Sequence, residues 1–88
     1  MKIPKKIKIG GNIYRVILVE AKELEDVGEI DNICSTIKIR KDATQTQQED
    51  ALIHEIIHGL NFHLTDEQVG FLANGIYQTL KDNNLLTP

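Results

Sequence analysis

One cysteine, Cys34, is the only thiol in the chain, so no internal disulfide can form. Set near a turn, it reads as a small half-buried residue rather than a reactive thiol. Long hydrophobic runs are also missing, and nothing approaches the roughly 20 apolar residues that span a bilayer. The start, "MKIPKKIKIGG", is basic, but no apolar signal-peptide core follows it, so the expected location is cytoplasmic, with no membrane partner. Nor is there an excess of positive charge. Lys and Arg number 10 against 13 Asp and Glu, giving a net charge of -3 and a pI near 5.5. A general phosphate binder needs a basic face, so nucleic acid is not an expected partner. Internal repeats, low-complexity tracts and interdomain linkers are absent as well.

What is present is a chain of 88 residues, 41% apolar and 26% charged, which makes one domain over 1–88 and leaves no room for a second. A chain this short buries only somewhat more than about 60% of the surface its unfolded form exposes, so its core is thin. A bound ion would help such a core.

In "KIKIGGNIYRVILVE", Ile7 and Ile9 alternate with lysines, Gly10-Gly11-Asn12 interrupts, and a β-branched run resumes at Ile13. That pattern predicts a hairpin. "AKELEDVG" is polar and fits either a loop or one helical turn. "GEIDNICSTIKIRKD" predicts a second pair of short strands around Asp31-Asn32, with Ile37 and Ile39 facing one way and Lys38 and Arg40 the other. One face of this sheet is therefore wet. From about Thr46 the period becomes helical, with Ala51, Leu52, Ile53, Ile56, Ile57 and Leu60 covering most of a nearly buried helix that Gly59 and Asn61 are expected to end. Thr65 and Gln68 form a capping box for a second helix, whose apolar face is expected to carry Val69, Leu72, Ala73, Ile76 and Leu80 until "DNNLLTP" stops it. The predicted fold is α+β, a minimal domain with a short antiparallel or mixed sheet of about four strands in 1–45. Two helices in 46–84 pack on one face of that sheet and carry the chemistry.

The chemistry lies in "ALIHEIIHGLNFHLTDE". Ionisable groups in so apolar a helix need partners. Residues four apart share a helix face, so His54 and His58 can aim imidazole nitrogens at one point about 2 Å away, as neutral histidines do when they hold Zn²⁺. Glu55 lies beside that point without occupying it, where it can hydrogen-bond a water and act as general base. The uncharged neighbours Ile53, Ile56, Ile57, Gly59 and Leu60 supply an apolar wall that keeps the histidines neutral and orders them. The plainer alternative is a pair of ordinary core histidines satisfied by Glu55.

A zinc site of this kind takes three protein ligands and keeps one position open. The third ligand must come from outside the first helix, and Asp66, Glu67 and His63 are the candidates. Asp66 precedes Val69 by three and so points toward the first helix. Glu67 is longer but points away on an ideal helix, although first-turn residues can deviate. Both acids also suit the positive end of a helix with no metal present. His63, if not a ligand, could stand at the cleft edge and stabilise an oxyanion. Two imidazoles and a carboxylate favour zinc among the first-row ions. Tyr14 and Tyr77 are expected to pack, with Tyr77 also a candidate for the cleft.

"ALIHEIIHGL" resembles the zincin metallopeptidase signature, and its position between "TIKIRKD" and an acid on the next helix looks gluzincin-like. From Gly28 onward the chain is similar to small phage and prophage metallopeptidase-like proteins, distantly related to the family that cleaves phage repressors. The resemblance implies a zinc peptidase in which the strand Thr36 to Arg40 lines the cleft and pairs with an extended peptide. The unremarkable role for that strand is an ordinary solvent-facing edge. Two departures stand out: the acid follows the motif at very short spacing, and no lower lobe closes the cleft. The expected activity is peptide-bond hydrolysis with Glu55 as general base, on a peptide or protein substrate, with a protein partner or second copy completing the cleft. The alternative is a non-catalytic, zinc-stapled binding or regulatory module.

Overall fold

In the computed structural model, which describes residues 1–86, Gly10 takes φ +60, a backbone conformation that glycine adopts without strain. The two-residue turn it makes with Gly11 closes β1 (Lys6–Ile9) onto β2 (Asn12–Val19), antiparallel, with Ile9 opposite Asn12. "AKELEDVG" supplies a single 3-10 turn at Ala21–Glu23. Then come β3 (Gly28–Asp31) and β4 (Thr36–Arg40), joined as the predicted hairpin with Asp31 opposite Thr36. The Asp31 carboxylate organises this turn by accepting the backbone N–H groups of Ile33 at 2.9 Å and Cys34 at 3.0 Å. The Cys34 and Ile33 hydrogen bonds hold its pKa below the usual carboxylate value. Cys34 is exposed rather than half-buried, because the turn leaves it in solvent.

Strand order is β1-β2-β4-β3. β2 and β4 run parallel, and both outer pairs are antiparallel. A parallel pair needs a crossover connection, and here the crossover contains β3, which folds back to add outside β4. The strand Thr36–Arg40 is therefore interior, paired on both sides, and cannot be the edge that takes up a peptide. The edges are β1 and β3.

The first helix, α1 (Gln45–Leu60), starts at Thr44, whose Oγ1 accepts the Gln47 N–H while Gln47 Oε1 accepts the Thr44 N–H. One apolar face of α1 places Leu52 and Ile56 on Ile9, Tyr14, Ile37 and Ile39 of the sheet. A second face places Ile53 against Ala73 and Tyr77 of α2 (Asp66–Asp82). This double burial explains why the helix carries two apolar faces, leaving Asp50, His54, Glu55 and His58 along a third. The layers run sheet, α1, α2, so α1 covers the sheet and α2 packs on α1.

Several helix details differ from expectation. Gly59 is helical and does not end α1, and the C-cap Asn61 is extended at φ -152. The absence of a side chain at Gly59 serves close packing instead, since a Cβ there would lie 3.1 Å from Ile9 Cδ1 and 3.2 Å from Ile30 Cδ1. Leu60 is 66% exposed, and on α2 Leu72 and Ile76 are 43% and 42% exposed. The buried line of α2 is Val69, Ala73 and Tyr77, at a spacing of four.

Tyr77 packs between the helices and does not line the cleft. Its hydroxyl donates to Glu49 Oε1 at 2.6 Å, and Glu49 also receives the Met1 ammonium at 2.7 Å and the Gln45 amide at 3.1 Å. Burial pushes the Glu49 carboxyl up, but these three donors outweigh it and draw the pKa down to about 2. At the far end, Asn84 at φ 60 follows α2, and the last two residues of the expected stop signal, Thr87 and Pro88, lie outside the described residues. Among the described residues, no helix is long and apolar enough to cross a membrane.

Candidate metal centre

One turn of α1 separates His54 from His58, and their ring centroids are 4.9 Å apart with the rings inclined at 62°. Seven residues after His58 the capping box at Thr65 starts α2, with the Thr65 hydroxyl accepting the Gln68 N–H at 3.1 Å. Asp66 is thereby fixed as the first helical residue, and it faces the histidines. Its Oδ1 lies 2.8 Å from His58 Nε2 and 3.8 Å from His54 Nε2. One ligand atom from each of His54, His58 and Asp66 can be chosen so that all lie within 4.8 Å of one another.

Four donors at about 2.0–2.1 Å around a tetrahedral ion stand roughly 3.3 Å apart. The three side chains meet that spacing with small movements, so their chemistry and separations fit a zinc ion. The Asp66 side chain is 91% exposed while those of His54 and His58 are 25% and 14% exposed. The cluster is accordingly walled on the helix side and open on the other.

Of the three candidates for third ligand, the fold brings Asp66 to the histidines. Glu67, about 100° further round the helix, lines a separate surface hollow with Leu64, Phe71 and Leu72. His63 is outside the cluster, and its backbone N–H donates to Asn61 Oδ1 at 3.0 Å, bracing the connection.

Glu55 is only 5% exposed. It sits between α1 and β3, where a Cβ added to Gly28 would come within 3.1 Å of its Oε2. Burial above all, and then the charges of Asp66, Asp26 and Glu29, together raise its pKa to about 7. No hydrogen bond to its carboxylate contributes to that balance. A buried acid with this environment is poised to exchange protons near neutrality.

Glu55 opens into a cleft of about 610 Å³ between α1 and the Asp26–Ile30 segment, which also contains His54, His58 and Asp66. Asp26, Gly28, Glu29, Asp50 and Phe62 line it too, and sequence reasoning assigned none of them to a site. Asp50 was the most accessible of these, since it precedes His54 by four residues on the same helix face. Asp26 lies in a segment without periodicity and gave no signal. Comparison with protein-family models, with curated proteins and with solved structures returns no match to this chain.

Proposed function

We propose that this domain is a minimal zinc peptidase that hydrolyses a peptide bond in the cleft between α1 and β3. His54, His58 and Asp66 would hold the ion. When bound, the ion supplies Lewis acidity, polarising the scissile carbonyl and lowering the pKa of water. Glu55 accepts the proton of the attacking water as its oxygen adds to the carbonyl carbon. It then delivers that proton to the amide nitrogen as the C–N bond breaks. β3 is an edge strand, and its free N–H and C=O groups offer an extended peptide a ladder along the cleft wall. This reading extends the zincin resemblance of "ALIHEIIHGL".

The observation that carries it is Glu55 itself, a carboxylate 5% exposed, without a neutralising cation or hydrogen-bond donor, beside two converging imidazoles. Such a group has no structural use in a thin core, because leaving it unpaired there is unfavourable. A closed structural zinc site would be the alternative, but the 91% exposure of the Asp66 side chain leaves an open side, as catalytic sites require.

The test is Glu55→Gln. Zinc stoichiometry is expected to stay at wild type while cleavage of a peptide library, read by mass spectrometry, disappears. Wild-type rates in that variant would remove Glu55 from the reaction.

A further inference from the structure

We infer that the cleft selects peptides carrying a lysine or arginine next to the bond to be cut. This inference rests on the peptidase reading and names its substrate class. The cleft is lined by Asp26, Glu29, Asp50, Glu55 and Asp66 and by none of the ten Lys and Arg residues of the chain. Lys6 and Lys8 lie on β1, the strand at the opposite edge of the sheet. Of the cations on the neighbouring strand and its end, Arg40 pairs with Asp42 and Lys41 with Glu20, while Lys38 stands opposite Glu29 in the β3–β4 register and makes no ion pair among the described residues. No ion pair among the described residues involves Asp26 or Asp50. Among the described residues, Asp50 receives the amide of Asn74, at 3.2 Å with the Asn74 nitrogen turned inward.

The buried Glu55 carboxylate, 5% exposed and opening into the same space, is a second and separate sign that the cleft awaits a positive or proton-donating ligand. A divalent ion at Asp66 would not reverse the sign, because Asp26, Glu29 and Asp50 remain along the walls. In low-dielectric clefts of one sign, field lines concentrate and draw in ligands of the other sign. Distance sets the position. Asp50 is one helical turn from His54, about 6 Å away along α1. A lysine or arginine side chain spans a similar length, so the residue beside the scissile bond is the one whose head group reaches Asp50.

The experiment uses three fluorescein-labelled dodecapeptides of Ala, Ser and Gly that differ only in a central Arg, norleucine or Glu. Binding to the full chain is read by fluorescence anisotropy, once in EDTA and once with one equivalent of zinc. The Arg peptide is expected to bind about tenfold tighter than the Glu peptide, with the gap shrinking at high salt. Asp26→Asn with Asp50→Asn, checked for folding by circular dichroism, is expected to bring the gap below about threefold. Equal binding of all three peptides, no binding of any, or a gap unchanged in the double variant would overturn the inference. Preferential binding of the Arg peptide without cleavage in zinc would uphold the selectivity and refute the peptidase. Cleavage of all three at one rate would do the reverse.

Discussion

His58 and Asp66 stand eight residues apart in the chain, and their side chains meet at 2.8 Å, joining the last turn of α1 to the first residue of α2. In the tautomer protonated at Nε2 this is a hydrogen bond, and it aims the carboxylate at the same point as His54.

Asp66→Ala is expected to weaken zinc binding by more than about a hundredfold, because it deletes one of the three proposed donors. Glu67→Ala should leave the affinity within about twofold of wild type. Competition against a chromophoric chelator measures both. Equal losses in the two variants would mean that Asp66 is not the third ligand.

Gly28→Ala should push a methyl group against Glu55 Oε2 at 3.1 Å and Ala51 Cβ at 3.2 Å. The expected cost is about 1–2 kcal/mol in urea unfolding. Zinc stoichiometry should persist, while turnover falls as the Glu55 carboxylate shifts. Unchanged stability and unchanged turnover would show that the strand yields.

Glu49 makes stability depend on acid. Its folded pKa is about 2 against an ordinary 4.5, so the stabilisation is complete above the ordinary value and is lost as pH falls from about 4.5 toward about 2. Glu49→Gln is expected to lower stability at pH 7 by about 2 kcal/mol, since it weakens the charge-assisted bonds that the buried Glu49 carboxylate accepts from Met1, Tyr77 and Gln45. The variant should also flatten the acid limb. Thermal melts of both proteins between pH 2 and 7 test this, and parallel acid limbs would rule it out.

Metal removal separates a catalytic from a stapling ion. The cores around Leu52 and around Ile53 are built of side chains other than the three candidate ligands. Chelation by EDTA is therefore expected to leave helical circular dichroism intact while lowering Tm by only a few degrees, the ligand-linkage contribution alone. Unfolding on chelation would instead favour the zinc-stapled module.

The strands, the two helices and the α+β class were legible because hydrophobic period and turn chemistry are local. Gly10-Gly11 and the Thr65–Gln68 box each specify their own few residues. The motif histidines were legible for the same reason, being one turn apart on one helix. Strand order was not legible. That Thr36–Arg40 is interior and β3 the edge depends on a parallel pairing of β2 with β4, which no short window encodes. Tyr77 replaced Leu72 and Ile76 in the interior because its hydroxyl finds Glu49, 28 residues earlier, a partner invisible to periodicity. Gly59 looked like a terminator because glycine ends helices often, yet its neighbours Ile9 and Ile30 come from distant strands. The choice between Asp66 and Glu67 needed the relative placement of two helices, and the acidic wall at Asp26 needed the sheet edge.

Because α1 is clasped on one side by the sheet and on the other by α2, the strip bearing His54, Glu55 and His58 has almost no freedom to drift. Variation at the exposed wall residues Asp26 and Glu29 and at Phe62 and His63 of the connection can proceed around a stationary centre. A designer wishing to retarget this scaffold would randomise those positions and leave the motif helix and Gly28 alone.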